Sequence, residues 1–205
     1  MLIAVFSVVQ SNLLTQAIDG TCSWREGRGV VSSMNLHIVR NTVSHDSRVL
    51  KETRTLCQAN CFESVGICGL LEPGYAERDN IDGCQAWRVP LISRQLPKDL
   101  FSQALKYSEW YKRVVSEYRQ APLQVIHSHD LAPLPIASKL KRLTCAKLVY
   151  DAHELETETK GLRGIRKWLA KCVERRFIRH ADAMITVSGS IQSWYQQRYP
   201  DMAIS

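Results

Sequence analysis

Leu123-Gln124-Val125-Ile126-His127-Ser128-His129-Asp130 and Ala146-Lys147-Leu148-Val149-Tyr150-Asp151-Ala152-His153-Glu154 are two apolar runs that each end in a histidine beside an acid. A third run, Ala183-Met184-Ile185-Thr186-Val187-Ser188, ends in a hydroxyl just before a helical pattern. Apolar runs of this length separated by helix-length patterns predict parallel strands. The carboxyl ends of parallel strands share one edge, which is where such sheets bind ligands. Titratable groups gathered at that edge predict a site.

Working outward, the alternation continues in both directions. Strands are expected at 35–40, 63–71 and 85–91, the second broken by Glu72-Pro73-Gly74. Ser44 or Asp46 can cap a helix running to Ala59, with Val49, Leu50, Thr53 and Leu56 on one face. A long helix follows Pro97 and is stopped by Ala121-Pro122; others are expected at 131–143, 162–180 and from Ser190. The expected fold is α/β: a Rossmann-like parallel sheet with helices on both faces, over 34–200. Residues 1–33 read as a loosely attached, poorly structured leader, and 201–205 as a truncated tail.

The chain has 205 residues, enough for one domain with a substantial core. No apolar run approaches the roughly 18 to 20 residues that span a bilayer. The formal net charge is +7, and the segment from Lys139 to Arg198, with 13 Lys and Arg against 6 Asp and Glu, carries all of it. Nucleic acid, anionic lipid or a phosphorylated substrate could answer that charge, as could plain solvation. The helix at 162–180 places Leu162, Ile165, Trp168, Leu169, Cys172, Val173 and Phe177 on one stripe among seven basic residues. Such a stripe packs on the sheet or lies on an anionic membrane. Seven cysteines without a C-x-x-C pair predict a reducing cytoplasm and no disulfide framework, with Cys68 and Cys145 as buried thiols.

Side chains alternate along a strand, so His127 and His129 share one face. His129 and Asp130 fall at the strand end, open to whatever fills the crevice. An imidazole there can donate to a hydroxyl or phosphate oxygen, or carry a proton near neutral pH. Asp130 could instead cap the helix opened by Leu131-Ala132-Pro133. His153 and Glu154 repeat the arrangement one strand later and could bind hydroxyls or simply be solvated. His127, His129, His153 and Glu154 could ligate a metal, but their spacing matches no hydrolase motif, and no metal is expected. Ser188-Gly189-Ser190 opens a helix, whose N–H groups favour anions or need only the Ser cap. No G-x-G-x-x-G follows the first strand and no Walker lysine loop is present, so no dinucleotide or other cofactor is expected.

Taken together, four segments make the chain resemble the N-terminal, acceptor-binding half of family 4 glycosyltransferases of GT-B architecture. They are Asp46 to Glu52, Val125 to Asp130, Lys147 to Glu154, and Glu174-Arg175 with His180 to Ser188. The resemblance implies transfer of a sugar from a nucleotide-sugar, as co-substrate, to a sugar or lipid-linked acceptor, with retention at the anomeric carbon. It implies that His129 is the catalytic strand-end histidine reaching the donor sugar. It places Asn41, His45, Asp46 and Arg48 on the acceptor side, with Asp130, His153, Glu154 and Ser188 completing the binding edge. It also implies a C-terminal donor half, in cis or in trans, without which the polypeptide is expected to be inactive. Membrane association at the cytoplasmic face fits a lipid-linked acceptor. A basic face without aromatic stacking platforms makes nucleic acid the weaker alternative.

Overall fold

The structure is a computed structural model that describes residues 33–44, 46–158, 161 and 163–204. The expected leader lies, but for Ser33, outside the described residues. The fold is α/β and Rossmann-like. Seven strands form one sheet: β1 (Met34–Ile38), β2 (Ser64–Leu70), β3 (Arg78–Ile81), β4 (Cys84–Val89), β5 (Leu123–His129), β6 (Lys147–Ala152) and β7 (Ala183–Thr186). Among the described residues five α-helices connect or follow them: α1 (Ser47–Ala59), α2 (Leu100–Tyr118), α3 (Leu134–Thr144), α4 (Gly164–Phe177) and α5 (Gly189–Arg198).

The strand order is β3-β4-β2-β1-β5-β6-β7. From β1 the chain builds outward through β2 and β4; from β5 it builds the other way. The order therefore reverses between β1 and β5, and a crevice opens beyond their carboxyl ends. All pairings are parallel except β3 with β4. That antiparallel edge strand was not expected from sequence, because Arg78-Asp79-Asn80-Ile81 has no apolar face to bury. Its turn was legible: Asp82 and Gly83 both take positive φ, 53° and 88°, as a two-residue primed hairpin requires.

Strand alternation divides the core in two. Leu36, Ile38, Ile126, Leu148 and Tyr150 face Trp110 and Val114 of α2 and Leu134, Ile136 and Leu140 of α3. On the opposite face Val65, Ile67 and Cys84 meet Val49 and Leu56 of α1. Local caps fix the helix starts. Asp46 accepts from the Val49 N–H at 3.3 Å and Asp99 from the Ser102 N–H at 3.0 Å.

Two expectations about packing are corrected, for Cys145 and for the stripe of α4. Cys145 is exposed, because it ends α3 in the left-handed conformation at φ 59° and its side chain leaves the core. Cys57 and Cys84, from different elements, bring their Sγ atoms to 2.7 Å, while the six described cysteines are free thiols. The apolar stripe of α4 does not pack on the sheet in its first turns: Ile165 and Trp168 are more than 60% exposed. The residue of α4 that is buried is Glu174, which accepts from the Tyr195 hydroxyl at 3.0 Å. Leu162 of the expected stripe lies outside the described residues. No helix among them is long and apolar enough to cross a membrane.

Candidate acceptor cleft

At the crevice beyond β1 and β5 lies a cleft of about 540 Å³. Its lining includes Asn41, Thr42, Asp46, Ser47, Arg48, Asp130, His153 and Val187. Five of these (Asn41, Asp46, Arg48, Asp130 and His153) were singled out from sequence, and the topology brings them together from three loops and the first turn of α1.

The β1–α1 loop is held by its own side chains. Asn41 Oδ1 accepts from the Val43 N–H at 2.7 Å, and Asn41 Nδ2 donates to Asp46 Oδ2 at 2.9 Å. Val43 consequently sits at φ 72°, a strained value for a β-branched residue. Arg88, on β4, is buried and donates to the Thr42 carbonyl at 2.9 Å and to Ser44 Oγ at 3.1 Å. Residues 41–44 of the loop are thus tied down by hydrogen bonds from Arg88 and within the loop itself.

Asp130 does not cap α3. That helix starts at Pro133 with no side-chain cap, and Asp130, itself at φ 72°, turns its carboxylate to His153 Nδ1. Burial pushes the Asp130 carboxyl up, and the charge of His153 opposes the shift. Glu154 is exposed, with a carboxylate oxygen 3.8 Å from His153 Nε2, and is not part of the cleft lining. Ser188 caps α5 by accepting from the Ile191 N–H at 3.4 Å, and its neighbour Val187 lines the cleft. His45 lies outside the described residues.

The expectation for His129 is corrected. Its ring is not open to the crevice but about 1% exposed. Two side chains of α1 stand beside it: Glu52 lies 3.9 Å from its Nε2, and Arg48 reaches its partner Asp151. Nδ1 of His129 contacts Asp151 Oδ2 at 2.8 Å, and Nε2 contacts His37 Nδ1 at 2.9 Å. Arg48 Nη1 meets the same Asp151 oxygen at 3.1 Å from above. His37 stacks on His127 with ring centroids 4.3 Å apart, and Asn35 Nδ2 approaches His127 Nε2 at 3.5 Å. A polar chain thus runs from Arg48 at the cleft, through Asp151 and three imidazoles, into the sheet. The expectation that imidazoles of both strands meet at one open rim holds for His153 alone.

The chain has graded charge. Burial pulls the His129 pKa down, but the hydrogen bond to Asp151 and the charges of Asp151 and Glu52 outweigh it, and the net shift is upward. Burial would raise Asp151, yet the His129 bond and charge, with Arg48, hold it low. Both shifts favour the charge-paired form. Deeper in, burial together with His129 keeps His127 neutral, its pKa lowered to about 3. Burial first, then its imidazole neighbours, lowers His37 as well. Glu52 of α1, over the same site, is raised by burial to about 7.

His37, Glu52 and Asp151 were not proposed as site residues. The polar alternation of Asn35 and His37 in a buried strand, matching that of His127 and His129, was the available signal. His37, Glu52 and His129 also offer ligand atoms within 4.8 Å of one another, a set suited by chemistry to a divalent ion. Its two nitrogens are at hydrogen-bonding distance, and Arg48 brings a competing cation to Asp151 beside it. The internal proton-sharing arrangement accounts for the geometry. His153 and Glu154, of the set weighed from sequence, lie outside that cluster.

A family model described as "Glycosyl transferase 4-like domain" matches residues 47–203. No curated protein matches the chain. Among solved structures, sucrose-phosphate synthase from Thermosynechococcus elongatus superposes with a TM-score of 0.62 at 12% identity, over 85% of this chain and 47% of that one. A shorter form of the same enzyme gives 0.55 at 16% identity, over 83% of this chain and 85% of that one. Anabaena Alr3699/HepE, solved with UDP and glucose, gives 0.54 at 11% identity, over 83% of this chain and 43% of that one. These likenesses are of fold, and the chain spans about half or less of the longer proteins.

Proposed function

Because the chain belongs to the glycosyl transferase 4-like domain family, we propose that its cleft holds the acceptor of a retaining, nucleotide-sugar-dependent sugar transfer of the GT-B kind. One observation carries the reading. Asp46, Arg48, Asp130 and His153 converge at the point of strand-order reversal, on a backbone fixed in advance by Asn41 and Arg88. Sugar hydroxyls both donate and accept, so carboxylates beside a guanidinium and an imidazole suit them.

The roles follow from position. Asp130 and Asp46 accept from acceptor hydroxyls, and Arg48 donates. His153, against the Asp130 carboxylate, holds it in place. His129 acts from below as a positioning residue: through Asp151 it fixes Arg48 and the charge of the floor. Sugar activation belongs to a donor-binding half, in cis or in trans, which supplies the nucleotide pocket. The longer structural relatives, about twice the span of this chain, support that division.

The test is to offer the isolated chain a nucleotide-sugar such as UDP-glucose together with simple glycosides. Glycoside binding without turnover is expected, with turnover appearing once a donor half is supplied. Robust transfer by the chain alone would overturn the division of labour.

A second reading, association with an anionic membrane from the cytoplasmic side, is supported by the surface of α4. Ile165, Trp168 and Leu169 are exposed next to Arg163 and Arg166, an amphipathic arrangement suited to the headgroup boundary. It is compatible with the first reading, because a lipid-linked acceptor is delivered at such a surface.

A further inference from the structure

Two thiols meet on the face of the sheet against which α1 packs. Cys57 lies in the last turn of α1, and Cys84 is the first residue of β4, 27 positions later in the chain. Both belong to the core cluster built around Val49, Leu56 and Ile67. Cys84 is fully buried there, and Cys57 is half-buried at its margin. Their Sγ atoms stand 2.7 Å apart. The contact is held from both sides. Leu56, the neighbour of Cys57, is buried in the same cluster. Three residues before Cys57, Arg54 Nε donates to Asp82 Oδ2 at 3.1 Å, and Asp82 sits in the turn that leads into Cys84. Helix end and strand start are thus kept in register around the sulfur pair.

The two sulfurs differ in reach. Burial first, then the bond to Cys57, pushes the Cys84 thiol up to about 12, so it is a poor nucleophile toward anything in solution. Cys57 is the sulfur a reagent meets. No other thiol among the described residues competes for Cys84. Cys61 lies past the helix end at Asn60 and turns its Sγ to the Ala59 carbonyl at 3.7 Å. Cys68 belongs to the core on the opposite face of the sheet. Cys145 follows α3 and Cys172 lies on α4.

We propose that Cys57 and Cys84 form a redox site: a small-molecule disulfide oxidises them to an intramolecular disulfide that fastens α1 to β4, and small thiols reverse it. The Cys57 thiolate attacks one sulfur of the reagent, forming a mixed disulfide and releasing one reagent thiolate. Cys84 then attacks the Cys57 sulfur, and its proton leaves with the second reagent thiol. Two protein thiols give up two electrons, and one reagent disulfide becomes two thiols. The contact already places Cys84 at the Cys57 sulfur, and that proximity offsets its weak acidity. The bond closes a loop that contains β2 and β3, which restricts the unfolded chain. It joins α1, which carries Arg48, to β4, which carries Arg88, at the ends remote from the cleft. The inference is independent of the acceptor reading.

The experiment incubates the full chain with glutathione disulfide, blocks the remaining thiols with iodoacetamide in denaturant, and maps the digest by mass spectrometry. A cross-linked Cys57–Cys84 peptide is expected, with both thiols restored by dithiothreitol. The oxidised chain should melt about 5 °C or more above the reduced one. In Cys57→Ser and Cys57→Ala, checked as folded by circular dichroism, Cys84 should stay unmodified and the redox shift in melting should vanish. Cys57 recovered only as its glutathione adduct, or joined to Cys61, would overturn the proposal. So would a pair left reduced while Cys61, Cys145 and Cys172 react. An oxidised chain that melts no higher than the reduced one, or a shift that survives in Cys57→Ser, would do the same.

Discussion

Asp151 and His129 occupy directly paired positions on adjacent parallel strands and meet at 2.8 Å, each about 1% exposed. A buried ion pair of this kind is costly to leave half-made, because the remaining charge cannot return to water.

Asp151→Asn should therefore destabilise the domain by about 3 kcal/mol, measured by denaturant unfolding. It should also lower the His129 pKa, read from imidazole resonances in NMR titration, since the partner that offsets burial is gone. A fall in stability with no movement of that pKa would contradict the pairing.

Asp130→Asn and His153→Gln alter the rim and not the core. Each should change stability by only about 1 kcal/mol or less. In an enzyme completed with a donor half, each should raise the acceptor KM more than it lowers kcat. An unaltered acceptor KM in both would remove the rim from the binding site.

Acid should weaken the fold through the inner histidines. His37 and His127 are lowered chiefly by burial, His127 to about 3, whereas in the unfolded chain they protonate near 6.5. Between those values the unfolded state holds more protons, so stability is present above 6.5 and falls as pH drops, by about 1.4 kcal/mol per pH unit per group. Glu52 has the opposite sign. Burial raises it from 4.5 to about 7, so its contribution is complete below 4.5 and is lost as pH rises through 7. Melting temperatures should show a flatter acid limb in His127→Gln, and Glu52→Gln should gain on the native chain above pH 7.

Gly69→Ala should disturb the cleft from behind. A Cβ at Gly69 would lie 2.5 Å from the Asn41 carbonyl oxygen and 2.7 Å from the Val43 side chain. The Leu70 N–H also bonds that carbonyl at 2.8 Å, so the loop has no slack. A loss of about 2 kcal/mol is expected, together with weakened glycoside binding. Native affinity in a folded Gly69→Ala chain would show that the loop is not held as described.

Vesicles of anionic lipid should capture the chain in flotation, with capture lost in salt and in Trp168→Ser or Arg166→Glu. Capture of equal strength on neutral vesicles would remove the electrostatic part of the membrane reading.

The parallel sheet and the strand ends that carry Asp130 and His153 were legible in the sequence, because apolar runs punctuated by caps encode them locally; Asn41, Asp46 and Arg48 were placed beside them only by the family resemblance. The burial of His129 was not legible. It depends on long-range neighbours, among them Arg48 and Glu52 of α1 and Asp151 of β6, a tertiary fact that no local pattern carries. His37 and Glu52 were missed for the same reason: each is polar in an otherwise ordinary strand or helix and acquires meaning only beside His129. The antiparallel strand β3 was missed because exposed charge hides it, although Asp82-Gly83 announced its turn.

Arg88 joins more than the cleft loop. Its guanidinium also reaches the Ala76 carbonyl at 2.9 Å and Asp79 at 3.2 Å, in and before the outermost strand. The peripheral hairpin and the ligand rim are therefore mechanically geared through one cation. Length changes in that hairpin, which border strands ordinarily absorb, would here be transmitted to the shape of the rim. Homologues that differ in substrate preference could diverge at a spot remote from any bound sugar, and hairpin swaps offer a handle for re-engineering it.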